Sequence, residues 1–110
     1  MKNSTILIEF EKCMRDIFGD DLREVILYGS YARNEQNANS DIDIMILVDT
    51  PMEDIGAYYD KVADCAFDFF IKYDVDISPI IKNMDHFNYW KDDLPFYRSV
   101  ATEGIAVHGL

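Results

Sequence analysis

Eight residues, Asp41 to Val48, change character at every second position. Asp41, Asp43 and Met45 fall on one side, and Ile42, Ile44 and Ile46 on the other. A period of two marks an extended strand, because successive side chains leave opposite faces of a sheet. The isoleucine face has to be buried, while the other face begins with two carboxylates. A second run, Val25-Ile26-Leu27-Tyr28, is short, apolar and β-branched and stops at Gly29, which predicts a buried strand over residues 23–28. Two such strands so near each other require a sheet, and the remaining sequence says what covers it.

Ile6, Leu7, Phe10, Cys13, Met14 and Ile17 recur at helical spacing up to Gly19, predicting an amphipathic first helix. Ser30 to Ser40 is polar and predicts a loop whose first residues form a helical turn. Pro51 opens a long helical pattern, with Ile55, Tyr59, Val62, Ala66 and Phe69 on one stripe and Asp60, Asp64 and Asp68 opposite. Tyr58, Tyr59, Phe67, Phe69 and Phe70 share helical spacing and are expected mostly in the core. Val75, Ile77, Ile80 and Ile81 predict a third strand, with Asp74 and Asp76 alternating on its other face and Pro79 marking an edge or an end. A short helix near residues 85–90 follows. Another is opened by Pro95 and closed by Gly104, and a last short strand is expected at 105–107. The expected fold is α+β (α/β), a single domain over residues 1–110 with a small mixed sheet of about three or four strands flanked by helices.

The stretch that points to chemistry is Gly29-Ser30-Tyr31-Ala32-Arg33 followed by Asp41-Ile42-Asp43. A glycine directly after a buried strand lets the backbone turn sharply and approach a ligand. Ser30 can cap the turn that follows, leaving backbone N–H groups free to meet a phosphate. Aspartates at i and i+2 on a strand share a face, ~7 Å apart at the backbone, and can converge on one hard cation. Oxygen ligands of this kind suit Mg²⁺ or Mn²⁺, with remaining ligands drawn from water and phosphate. Together these residues point to metal-assisted chemistry on a nucleoside triphosphate. An Asp-Ile-Asp-Ile strand on its own would equally suit a half-solvated sheet face.

Gly29-Ser30, ten intervening residues and Asp41-x-Asp43 resemble the nucleotidyltransferase superfamily related to DNA polymerase β. The longer string, GSYAR through SDIDIMILV, resembles its minimal single-domain bacterial branch, the MNT proteins, and the similarity extends over nearly the whole chain. The resemblance implies a polymerase β palm-like fold, with Gly29 and Ser30 holding the triphosphate and Asp41 and Asp43 binding a divalent metal. It also implies a third carboxylate on a neighbouring strand, acting as ligand and as base toward the attacking hydroxyl. Asp76, between Val75 and Ile77, has the apolar setting of that residue, and Asp74 is the alternate. Arg33 either neutralises phosphate or pins the loop by pairing with an acid. Asn34 stands where the family often has glycine, and asparagine tolerates left-handed backbone.

Larger members of the superfamily carry helical domains that hold the acceptor. A chain ending at Leu110 is expected to find its acceptor on another chain. In the minimal branch that partner is commonly a HEPN protein, paired with the MNT protein as toxin and antitoxin. The resemblance thus implies transfer of a nucleoside monophosphate, from ATP in the first instance, to a protein or small-molecule hydroxyl. The alternative is a non-catalytic module that neutralises a HEPN-type RNase toxin by contact. Transfer to an aminoglycoside is a third option, disfavoured by the lack of a substrate domain.

Charge limits the partners. With 21 Asp and Glu against 10 Lys and Arg, the net charge is −11, which repels phosphate backbones and anionic membranes, so neither nucleic acid nor membrane is an expected partner. The excess is uneven: residues 1–40 hold seven acids and five bases, residues 41–110 fourteen and five. Like charges at i, i+4 cost about 0.2–0.5 kcal/mol each, so the ridge of Asp60, Asp64 and Asp68 does not serve helix stability. It is either a solvated face or a docking surface for a basic partner. Cys13 and Cys65 lack metal-ligand spacing and are expected as buried, reduced thiols, and His86 and His108 as surface or packing residues. Met1-Lys2-Asn3-Ser4 shows no apolar leader, and no run approaches the ~20 residues that span a bilayer. A cytoplasmic protein is expected.

Overall fold

A computed structural model describes residues 4–109. The leader reading at residues 1–3, and both ends of the expected domain, lie outside them. Helix α1 (Ser4–Phe18) buries Leu7, Phe10, Met14 and Phe18 along one stripe. Gly19, at φ 59°, breaks it, and a single 3₁₀ turn leads into β1 (Leu22–Tyr28). Strand β2 (Ile42–Val48) pairs antiparallel with β1, with Leu27 opposite Ile44 and Tyr28 opposite Asp43. Strand β3 (Ile77–Asn83) runs parallel to β2, and the two-residue β4 (Ile105–Ala106) adds antiparallel to the other side of β1. The order β3-β2-β1-β4 makes the mixed sheet the sequence predicts.

A parallel pair needs a crossover. Here it is α2 (Met52–Ile55), a 3₁₀ turn at Gly56–Tyr58, and α3 (Tyr59–Tyr73), so the single long helix expected after Pro51 is broken at Gly56. Helices α1 and α3 cover one sheet face, burying Val25, Leu27, Ile42, Ile44 and Ile46 against Phe10, Met14, Val62 and Cys65. Helices α4 (Met84–Trp90) and α5 (Pro95–Glu103) cover the other with Phe87, Tyr97 and Val100 over Ile26, Met45 and Leu47. The far half of β2 is therefore buried on both sides. Its acidic end is left uncovered, with Asp41 exposed and Asp43 half-buried.

Three aromatic residues depart from expectation. Tyr58 and Phe69 pack on the core, but Tyr59, Phe67 and Phe70 are exposed, because α3 presents only its Val62, Cys65 and Ala66 side to the sheet. Tyr59 still has a structural use. Its hydroxyl donates to the Ile81 carbonyl (3.4 Å) and accepts from the Ile81 N–H (3.3 Å), occupying the free edge of β3. Pro79 lies on that edge strand, as its missing N–H requires. The third strand starts later than the apolar pattern suggests. Asp74 is the left-handed cap of α3 (φ 56°), its N–H donating to Phe70, and Asp76 immediately precedes β3. Cys65 is buried and Cys13 half-buried, and burial together with the hydrogen bond that the Cys65 thiol donates to Cys13 pushes the Cys65 thiol up. His86 is a packing residue, its ring nitrogen 3.2 Å from the Tyr97 hydroxyl, and His108 is exposed. Among the described residues, no helix is long and apolar enough to cross a membrane.

Gly104 ends α5 for a reason other than left-handed geometry. Its backbone is extended (φ −67°), but a Cβ there would stand 2.5 Å from Ile26 Cγ2 and against the Val100 carbonyl oxygen. Gly104→Ala should therefore push α5 off β1 and cost about 1–3 kcal/mol in chemical denaturation. Unchanged stability would mean that the helix is not held this closely.

Candidate active site

Where β1 ends, Gly29 adopts φ 74°, a conformation in which a side chain is strained. The chain then curls into a hydrogen-bonded turn. The Arg33 N–H donates to the Gly29 carbonyl (3.1 Å), that of Asn34 to Tyr31 (3.3 Å) and that of Glu35 to Ser30 (2.8 Å). Asn34 closes the turn at φ 57°, the left-handed geometry expected for it. Tyr31 and Ala32 rest on the α1/α3 core and anchor the loop.

The sheet register brings Asp43 to this turn. Asp43 is opposite Tyr28, and its carboxylate lies over the bare Cα of Gly29. A Cβ at Gly29 would collide with Oδ2 and stand 3.2 Å from Cγ. Asp41 lies just before β2, which begins at Ile42, one residue later than the alternation predicts for the strand, and is near enough for its charge to act on Asp43. Burial raises the Asp43 pKa, the charge of Asp41 raises it further, and Arg33 works against both. Across the pair, burial and then Asp43 push the Tyr28 hydroxyl up to about 12.

Arg33 is held at both ends of its guanidinium. Nε meets Glu35 and Nη1 meets Glu103 on α5, each at 3.3 Å. The sequence names Arg33 but not its distant partner, since Glu103 lies 70 residues away and no local spacing marks it. Tyr28 and Phe96, ring centroids 5.6 Å apart and nearly perpendicular, form an aromatic border beside Gly29 that sequence spacing also does not reveal.

Asp76 sits one step along from Asp41. The Ile42 N–H donates to its carbonyl (2.7 Å), and the register of Ile42 with Ile77, carried back one residue, sets Asp76 beside Asp41. Asp74 and Asp76 also line a small polar cleft of about 200 Å³ with Tyr31, Asn39 and Ser40. Among the described residues, no three Asp, Glu, His or Cys side chains are close enough to hold a metal ion together. The donor set that the geometry does offer is Asp41 and Asp43, on either side of the first residue of β2. Two neighbouring carboxylates, with the charge of Asp41 adding to the cost of ionising Asp43, fit a hard cation that completes its shell with water and phosphate.

A family model for a nucleotidyltransferase domain matches residues 7–102. A protein of Methanocaldococcus jannaschii, provisionally named a protein adenylyltransferase, is 32% identical over 108 residues, spanning 98% of this chain and 100% of its own length. Among solved structures, a toxin–antitoxin with AMP-PNP superposes with a TM-score of 0.59 at 22% identity, over 92% of this chain and 71% of that one. The MntA–HpeT toxin–antitoxin carrying the D39ED41E mutations gives 0.56 at 20% identity with the same coverage. At these identities the structural likeness speaks for the fold.

The Gly29 contact yields a direct expectation. Gly29→Ala should lower stability by about 1–3 kcal/mol, combining left-handed strain with displacement of the Asp43 carboxylate. Denaturant titration measures it, and a loss below a few tenths would mean that the turn tolerates a side chain.

Proposed function

This chain belongs to the nucleotidyltransferase-domain family, and from that membership we propose that it transfers AMP from ATP to a hydroxyl on a protein partner. In this reading it is the antitoxin of a toxin–antitoxin pair whose toxin is a HEPN-type protein. The observation that carries the proposal is the junction of Gly29 and Asp43. A turn able to present backbone N–H groups to phosphate is packed directly against Asp43, whose neighbouring carboxylate is Asp41.

The roles follow from position. Gly29, lacking a side chain, lets the triphosphate approach the backbone at the end of β1, and Ser30 begins the turn that receives it. Asp41 and Asp43 would hold Mg²⁺ or Mn²⁺. That cation, when bound, neutralises the phosphates and favours ionisation of the acceptor hydroxyl. Asp76, beside Asp41 and immediately before β3, is the proposed third carboxylate and takes the proton from that hydroxyl, with Asp74 as alternate. The freed oxygen attacks the α-phosphorus in line, the bond to the β-phosphate oxygen breaks, and pyrophosphate leaves. Arg33, already paired with Glu35 and Glu103, positions the loop and moderates the charge at Asp43.

Three similar proteins favour the partner side of the reading. The M. jannaschii relative, matched along its full length, is provisionally named a protein adenylyltransferase, and the two solved structures described above are toxin–antitoxins, one with AMP-PNP. A second reading, neutralisation by contact alone, draws on α3. Phe67 (61% exposed) and Ile71 (67% exposed) sit among Asp60, Asp64 and Asp68 on the outward side, an unusual composition for a solvated face.

Incubation with labelled ATP, Mg²⁺ and the protein encoded by the adjacent gene separates the two. Transfer predicts label on the partner that falls about 100-fold or more in Asp41→Asn. Neutralisation that persists undiminished in Asp41→Asn would contradict it and favour contact.

A further inference from the structure

On the β1 side of the acid pair is a cleft of about 190 Å³, lined by Tyr28, Gly29, Arg33, Phe96, Ser99 and Glu103. Its composition is unusual for a surface groove. Phe96, in the first turn of α5, leaves 47% of its surface exposed while standing edge-on to Tyr28. The rim is polar and fixed, since Arg33 and Glu103 are joined at 3.3 Å, and Ser99 adds a hydroxyl. A flat ring could lie on Phe96 with hydrogen-bonding groups at its edge, which is how proteins hold nucleobases.

Gly29 belongs to this cleft and to the turn alike, so one nucleotide can meet both. We infer that the cleft receives the base of the donor nucleoside triphosphate, with Phe96 as its stacking platform. The inference rests on the nucleotidyltransferase reading above and adds to it the place of the base. Sheet order favours the base over the other flat occupant, an aromatic side chain of the acceptor. In β3-β2-β1-β4 the acid pair flanks the first residue of β2, Asp76 immediately precedes β3, and the cleft is on the opposite side, between β1 and α5. The acceptor hydroxyl is assigned to the Asp76 side, which leaves the Gly29 side to the donor. Stacking alone does not discriminate among bases, so any preference comes from Ser99 and Glu103 at the rim.

The test compares ATP with inorganic tripolyphosphate, each with Mg²⁺, by calorimetric titration of the full chain. Phe96→Ala should weaken ATP by about tenfold while leaving tripolyphosphate within about twofold, and Phe96→Tyr should restore ATP binding. Unchanged ATP affinity in Phe96→Ala overturns the inference, and if transfer to the partner falls at the same time the cleft belongs to the acceptor. Equal weakening of both ligands also overturns it, by making Phe96 structural. If the wild-type chain binds neither ligand, the parent reading falls and this one with it. Should Phe96→Ala not fold, Phe96→Trp decides. Its added fluorescence, relative to the wild type with Trp90 alone, should respond to ATP and not to tripolyphosphate, and no response to ATP overturns the inference.

Discussion

The carboxylate of Asp43 rests on the bare Cα of Gly29, and the site is arranged around that contact. It needs a backbone that enters left-handed geometry at the end of β1, and a β2 register that sets Asp43 opposite Tyr28. The register is secured elsewhere. Ile42, Ile44, Ile46 and Val48 are buried against α1 and α3, and a slip of one residue would send both carboxylates into that core. The hydrophobic side of the strand thereby fixes where its acidic side points.

The other helical layer decides how much of the acidic face remains open. Met45 and Leu47 are covered by Phe87, Tyr97 and Val100, while the end of β2 that bears Asp41 and Asp43 emerges from under them. Gly104 lets α5 approach Ile26 closely enough to bring Phe96, Ser99 and Glu103 to the edge of Gly29. Two glycines, one at each close approach, thus connect the packing of the sheet to the shape of the site. Through Glu103 the same helix also restrains Arg33, so the loop after β1 is tied at a second point.

Much of this was legible in the sequence, and the exceptions have common causes. β1 and β2 appear within a residue of where β-branching and alternation place them, because burial on known faces leaves little choice. Asp43 faces away from the α1/α3 core for the same reason, while Asp41 falls just outside β2, near enough for its charge to act on Asp43. Asp74 was harder to place: α3 runs on to Tyr73 and needs a left-handed residue to stop, so Asp74 caps the helix instead of opening the strand. The aromatic set around α3 misleads because Tyr59, Phe67 and Phe70 share helical spacing with the core residues but are exposed. Glu103 and Phe96 were invisible as site residues. Their relation to Arg33 and Tyr28 exists only once α5 folds back over β1, and spacing along the chain carries no trace of it.

In the proposed function, the turn at Gly29 and the acid pair around the start of β2 form one site for a metal-bound triphosphate. A crystal structure with Mn²⁺ and a non-hydrolysable ATP analogue, recorded for anomalous scattering, tests it most directly. The account predicts a manganese peak between the carboxylates of Asp41 and Asp43, with the triphosphate against the backbone of Gly29 and Ser30. Manganese bound away from those carboxylates, or a triphosphate that does not touch the turn, would contradict it.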